Sequence, residues 1–215
     1  MLAMSHLFLT STVNYVAQDL PRHFAKPLTG QRCVFIDTAT EVEAGDKKWV
    51  SDDKEALENI GLDVFNYTLT DKTQAQIKKD LDQVDVIYIE GGNTFYLLEK
   101  AQQSGFIEVI RDYVLNQGKP YIGTSAGSVI AGPDLTPTKN LDNVRKAPNI
   151  QGYDGFNLVN FVLLPHWGSK SFRELYLNQR LDFAYTKDQH PLVVLTDYQY
   201  VHVKDGMNQI IDVRR

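Results

Sequence analysis

The sequence predicts an α/β protein, with a mostly parallel sheet covered by helices on both faces and a C-terminal antiparallel hairpin. Three observations predict it. Short β-rich runs alternate with longer helical stretches, the pattern of parallel strands joined by crossover helices. Those runs are almost continuously apolar, as strands buried on both faces are. The last segment is different, with two strand-like stretches meeting at Asp205-Gly206, a hairpin signal.

The elements follow in order. Core strands are expected at residues 7–9, 33–36, 64–67, 86–89 and 120–123, with later ones at 161–164 and 192–195. A helix at 52–59 stops at Gly61, and one at 73–81 carries Lys and Gln on its outer face. Helices at 94–103 and 106–116 end before Ser104-Gly105 and Gly118. Residues 198–203 and 207–213 form the terminal hairpin. No repeat, low-complexity segment or Pro/Gly/Ser-rich linker interrupts the chain, so residues 1–215 are read as one domain. The least regular stretch, 132–160, holds three prolines and five asparagines. A loop that long inside a compact domain is usually functional or mobile.

Composition removes several classes of function. With 43% hydrophobic residues, the 215-residue chain can bury a full core, which excludes disorder. Twenty-two Lys+Arg against 27 Asp+Glu give a net charge of −5 with no basic cluster, which argues against a nucleic-acid-binding surface. The single cysteine, Cys33, precludes an internal disulfide and any CxxC metal site and fits a reducing cytosol. No H-E-x-x-H motif is present, which disfavours a metal hydrolase. No apolar run approaches the roughly 20 residues of a membrane span, and the first residues lack the basic start of a signal peptide. The expectation is a soluble cytoplasmic protein without membrane or nucleic-acid partners. Its 11 Tyr and 10 Phe are expected to pack against the sheet or an oligomer face and require no cofactor.

Gly123-Thr124-Ser125-Ala126-Gly127 matches G-x-S-x-G, the strand-to-helix elbow that exposes a nucleophilic serine. An apolar strand leads into it and a helix can start at Ala126, so Ser125 would stand at the carboxyl end of a central strand, where open α/β sheets bind ligands. A serine that merely caps the helix fits the motif equally well. Ser125 as nucleophile needs a base, and histidine is the usual one. Of five histidines, only His166 ends an apolar strand at a loop, after Pro165. If that strand runs parallel to residues 121–122, the two side chains share one edge of the sheet. Glu90-Gly91-Gly92-Asn93-Thr94 is a second strand-to-helix crossing, and the N–H of Gly91 or Gly92 with that of Ala126 could receive an oxyanion. The same Gly-Gly turn also fits a phosphate cradle, but no G-x-G-x-x-G or Walker lysine accompanies it. Asn93 and Thr94 also fit as helix caps.

Together, Gly91-Gly92-Asn93-Thr94-Phe95, Gly123-Thr124-Ser125-Ala126-Gly127 and Pro165-His166 resemble, in order and approximate spacing, the peptidase E (aspartyl dipeptidase) family of serine peptidases, related to cyanophycinase. The resemblance covers most of the chain. It implies a three-layer α/β/α sandwich like that of class I glutamine amidotransferases. It further implies Ser125 as nucleophile, His166 as general base, Gly92 and Ala126 as oxyanion donors, and no metal. The implied activity is hydrolysis of short peptides through an acyl-enzyme, characteristically dipeptides with N-terminal aspartate. Either a monomer or a homodimer is expected. An esterase or amidase with the same machinery and a catalytically weak small-molecule binding protein are the alternatives.

The chain departs from the family pattern at three places. The acidic residue expected after the nucleophile helix aligns with Asn140, with Asp142 two positions later, so both are candidates for the third triad member. Asn140 could orient an imidazole but not offset its charge. The arginine-containing segment after the histidine matches poorly, leaving Arg173 and Arg180 as candidates for a substrate carboxylate, although a solvated helix face explains them at least as well. Glu90 replaces a glycine and would put a negative charge near the pocket.

Overall fold

The computed structural model describes residues 6–139, 142–177 and 190–214. In chain order the strands are β1 (His6–Thr10), β2 (Arg32–Ile36), β3 (Asp63–Tyr67), β4 (Val86–Ile89), β5 (Tyr121–Thr124), β6 (Val162–Leu164), β7 (Leu192–Val194), β8 (Gln199–Lys204) and β9 (Met207–Asp212). Among the described residues, seven form one sheet in the order β3-β2-β4-β5-β1-β8-β9. Pairing is parallel from β3 through β1 and antiparallel from β1 to β8 and β8 to β9.

Because successive strand residues face opposite ways, a single apolar run feeds two cores. Leu7, Leu9, Val34, Ile36, Ile87 and Ile89 turn toward one face and pack with helices α3 (Gln74–Asp80), α4 (Thr94–Ser104) and α5 (Phe106–Arg111). Phe8, Cys33, Phe35, Val86, Tyr88 and Ile122 turn toward the other, against α1 (Val13–Val16) and α2 (Lys48–Asn59). The outcome is the expected α/β/α sandwich.

Local signals place the helices. Thr73 caps α3 in a capping box with Gln76. Gly105, at φ +70, ends α4 in the left-handed conformation glycine tolerates. The helix expected to run to residue 116 narrows to α5 and continues as a widened turn through Asn116. The terminal hairpin turns at Asp205 and Gly206, both at positive φ. No helix among the described residues is long and apolar enough to cross a membrane.

One expectation fails. β6 and β7 do not join the large sheet but pair in parallel with each other, so the histidine-bearing strand is not a neighbour of β5. β5 already has β4 on one side and β1 on the other, which closes both places beside it. A short apolar run bounded by turn residues marks a candidate buried strand but does not name its partner.

The turn from β5 into helix α6 (Ala126–Val129) is closely packed. A Cβ on Gly127 would stand 2.1 Å from the Ile89 carbonyl oxygen, and one on Gly123 would stand 2.6 Å from that of Gly127. Both neighbours are backbone and have little room to yield. Gly127→Ala is therefore expected to destabilise the protein by about 1–3 kcal/mol or more, read as a lower urea midpoint at unchanged m-value.

Candidate active site

Ser125 lies between β5 and α6 at φ +47 and ψ −113, a backbone conformation non-glycine residues seldom adopt. Such strain costs on the order of 1–3 kcal/mol and persists only where the surroundings enforce it. Here the Ser125 N–H donates to the carbonyls of Thr10 and Ser11, both at 3.2 Å, at the adjoining end of β1. Its hydroxyl makes no cap for α6. The capping alternative is thus excluded, and Ser125 Oγ lies 2.9 Å from His166 Nε2.

His166 reaches this position through the small sheet. β6 and β7 run in register, with Leu164 beside Val194, so the loops beyond them leave side by side. His166 follows two residues after β6 and Asp197 three residues after β7. His166 Nδ1 lies 2.7 Å from Asp197 Oδ1. A proton on Nδ1 donating to the carboxylate leaves Nε2 to accept from Ser125, the tautomer a general base requires. Phe172 stacks on the imidazole at 4.3 Å and 19°.

Two residues at the end of β1 secure this arrangement. Ser11 Oγ donates to Asp197 Oδ1 at 2.9 Å and accepts from the His166 N–H at 2.8 Å; Thr12 Oγ1 donates to the same carboxylate oxygen at 3.1 Å. Burial pushes the Asp197 carboxyl upward, yet the hydrogen bonds and charge of His166, with the Ser11 and Thr12 hydroxyls, outweigh it and hold the group below the usual carboxylate range. Ser11→Ala is expected to lower kcat by about 10- to 100-fold with little change in KM, because small misplacements of a reacting pair cost rates of that size. Steady-state kinetics on a dipeptide would check it.

The triad opens into a cavity of about 550 Å³. Ala126 is the first residue of α6, so its N–H has no acceptor within the helix. Gly92, at φ +124, makes no hydrogen bond from its N–H among the described residues. A Cβ there would meet the Ala39 carbonyl oxygen at 2.4 Å, so glycine is required. Gly92 and Ala126 line the same cavity as Ser125. The Gly91 N–H is already engaged, donating to Glu90 Oε1 at 2.6 Å, which removes Gly91 from the candidate donors.

Other sequence candidates are placed differently. The carboxylate on His166 Nδ1 is Asp197 and not Asp142. Asp142 lines the cavity but accepts from the Thr94 N–H at 2.9 Å and the Thr94 hydroxyl at 2.5 Å, at the start of α4. Asn140 and Arg180 lie outside the described residues. Asn93 is buried and caps α4, accepting from the Tyr96 N–H at 2.9 Å, so the structural alternative holds for it. Arg173 is exposed, pairs with Glu174 at 2.8 Å and is absent from the described cavity lining, as its solvated-face reading anticipates. The sequence reading missed Asp197, Ser11 and Thr12. A signal for Asp197 existed: residues 192–195 are a second apolar run that ends, like 161–164, in a polar loop.

A hydroxyl, an imidazole and a carboxylate in hydrogen-bonded series at the carboxyl edge of a parallel sheet form the arrangement of a hydrolase. The model of peptidase family S51 matches residues 1–211, and the chain belongs to that family. An uncharacterized peptidase of Listeria monocytogenes is 35% identical over 88% of this chain and 91% of its own length. A peptidase E of a Shewanella species is 31% identical over 72% of this chain and 61% of its own. Among solved structures, one assigned to peptidase E from Listeria monocytogenes superposes with a TM-score of 0.88 at 30% identity, covering 98% of this chain and all of the other. A peptidase from an acI-B1 actinobacterium, at 15% identity and a TM-score of 0.68 over 97% of this chain and 88% of that one, shares the fold. The protein is a peptidase.

Proposed function

We infer that the chain is a serine peptidase that hydrolyses short peptides through an acyl-enzyme on Ser125. The observation that carries this reading is the series Ser125 Oγ–His166 Nε2 at 2.9 Å and His166 Nδ1–Asp197 Oδ1 at 2.7 Å. Ser125 Oγ attacks the scissile carbonyl carbon while its proton passes to His166 Nε2. The carbonyl oxygen, now an oxyanion, takes hydrogen bonds from the N–H groups of Gly92 and Ala126. Asp197 holds the ring in place and offsets the imidazolium charge. On collapse the C–N bond breaks, the leaving amine takes the proton from His166, and the acyl group stays on Ser125. Water then attacks with His166 again as base, releasing the acid and restoring the serine.

A small peptide substrate is supported by the bounded cavity, which accommodates a few residues. Arg173, turned to solvent, does not support N-terminal aspartate as the preferred residue. A free, fully buried Cys33 supports a reducing, cytoplasmic compartment. The test is a fluorophosphonate reagent followed by peptide mapping, with dipeptide hydrolysis measured in parallel. The reading expects one adduct, on Ser125. An adduct elsewhere, with dipeptide hydrolysis intact, would overturn it.

A further inference from the structure

Two buried acids of the same cavity take no part in the catalytic series. Glu90 and Asp53 are 0% and 2% exposed, and both reach the cavity that contains Ser125. They come from different elements, Glu90 from just beyond β4 and Asp53 from α2, and share one hydrogen-bond partner. The fully buried Tyr88 hydroxyl lies 3.2 Å from Asp53 Oδ2 and 3.1 Å from Glu90 Oε2. The Asn14 N–H donates to Asp53 Oδ1 at 3.2 Å, tying the network to α1. The other Glu90 oxygen accepts the Gly91 N–H at 2.6 Å.

That last bond matters because of where Gly91 lies. A Cβ on Gly91 would meet Ser125 Cβ at 3.1 Å, so this peptide passes directly beside the nucleophile. Accepting the Gly91 N–H fixes the plane of the peptide before it, and the next N–H, that of Gly92, has no acceptor among the described residues. We propose that Glu90 is a positioning residue of the oxyanion loop, braced from behind by Asp53 and Tyr88. The proposal rests on the serine-peptidase reading above.

Its charge state fits the role. Burial, then the neighbouring Asp53, pushes the Glu90 carboxyl well above the ordinary range, and burial raises Asp53 to about 7. The two titrate as a unit. At neutral pH the pair retains a proton, and Glu90 is neutral beside a site where negative charge must develop. The expected negative charge at Glu90 is thus corrected by burial. Asp37 beyond β2 and Asp52 on α2 also raise the pair, while His166 and Asp142 line the same cavity. An ionised Glu90 would oppose the oxyanion, so kcat is expected to fall at alkaline pH as the proton leaves.

The experiment compares Glu90→Ala and Glu90→Gln by dipeptide kinetics, kcat against pH, and inhibition by a peptide aldehyde that forms an oxyanion on Ser125. Glutamine keeps an acceptor for the Gly91 N–H and a hydrogen for the Tyr88 oxygen, whose own hydrogen is then left for Asp53, without a charge to lose. Glu90→Ala is expected to lower kcat and aldehyde affinity about 10- to 100-fold with KM within about twofold, since loss of a full oxyanion donor costs about 10²–10³ in kcat. Glu90→Gln is expected to restore kcat to within about threefold and to flatten the wild-type alkaline decline. Should an alanine variant fail to fold, the glutamine pH profile decides alone. Unchanged kcat and aldehyde affinity in a folded Glu90→Ala, or an alkaline decline that persists in Glu90→Gln, would overturn the proposal. Fluorophosphonate labelling of wild-type Ser125 separates that failure from failure of the peptidase reading, which would remove both.

Discussion

Ser125→Ala is expected to lower dipeptide hydrolysis by about 10³- to 10⁶-fold, the range seen when a triad nucleophile is removed while substrate binding and oxyanion donors remain. The reasoning is geometric. No other hydroxyl combines an open cavity face with a 2.9 Å contact to His166 Nε2 among the described residues. Ser11, the nearest alternative, is fully buried and committed to Asp197 and the His166 N–H. Ser128 is also buried, with its hydroxyl donating to backbone carbonyls at 2.7 Å. A companion variant separates chemistry from folding. Alanine keeps a Cβ at φ +47 and so keeps the strain, whereas Ser125→Gly relieves it. Ser125→Gly is expected to be inactive yet more stable than Ser125→Ala by about 1 kcal/mol, measured by chemical denaturation. Retained hydrolysis in Ser125→Ala would remove the acyl-enzyme from consideration.

How much of this site the sequence could disclose depended on the range of the forces that build it. The elbow at Ser125 was legible because its requirements are local: a strand, a tight turn and a helix within a few residues, with glycines where backbone comes within 2.1–2.6 Å of any added Cβ. The helix signals at Thr73 and Gly105 were legible for the same reason. His166 was singled out because it ends an apolar strand, but the expected route to Ser125, a shared sheet, was wrong. The two strands of the small sheet lie about 30 residues apart in the chain, and only their mutual register puts Asp197 beside His166. That pairing is a tertiary event with no local periodicity to announce it, so the acid was sought near the nucleophile helix, at Asn140 and Asp142. Glu90 shows the same limit for electrostatics. Sequence gives its formal charge, but neighbours on α2 and β4 decide whether it is ionised.

Asp197→Asn separates these two accounts of the third residue, and it is expected to lower kcat by about 10⁴-fold with the fold intact. Asparagine is nearly isosteric. One carboxylate oxygen, Oδ1, is the partner of the Ser11 and Thr12 hydroxyls and of His166 Nδ1, and the asparagine carbonyl oxygen placed there accepts from all three, so near-native thermal stability is expected. What the amide lacks is the charge. The imidazolium formed during attack then has no charge partner, and His166 is a weaker acceptor for the serine proton. The wild-type carboxylate escapes this at any near-neutral pH, because its donors hold its pKa below the ordinary range. Since the folded pKa is depressed, the stabilisation from those donors is present above the unfolded value near 4 and is lost as pH falls through the folded one. Asp142→Asn serves as the control. Its carboxylate meets the first turn of α4 at Thr94, so a small stability loss and activity within about threefold of wild type are expected. If instead Asp197→Asn retained a tenth or more of the rate while Asp142→Asn collapsed, the acid would belong to the loop after the nucleophile helix, and the pairing of β6 with β7 would have no catalytic consequence.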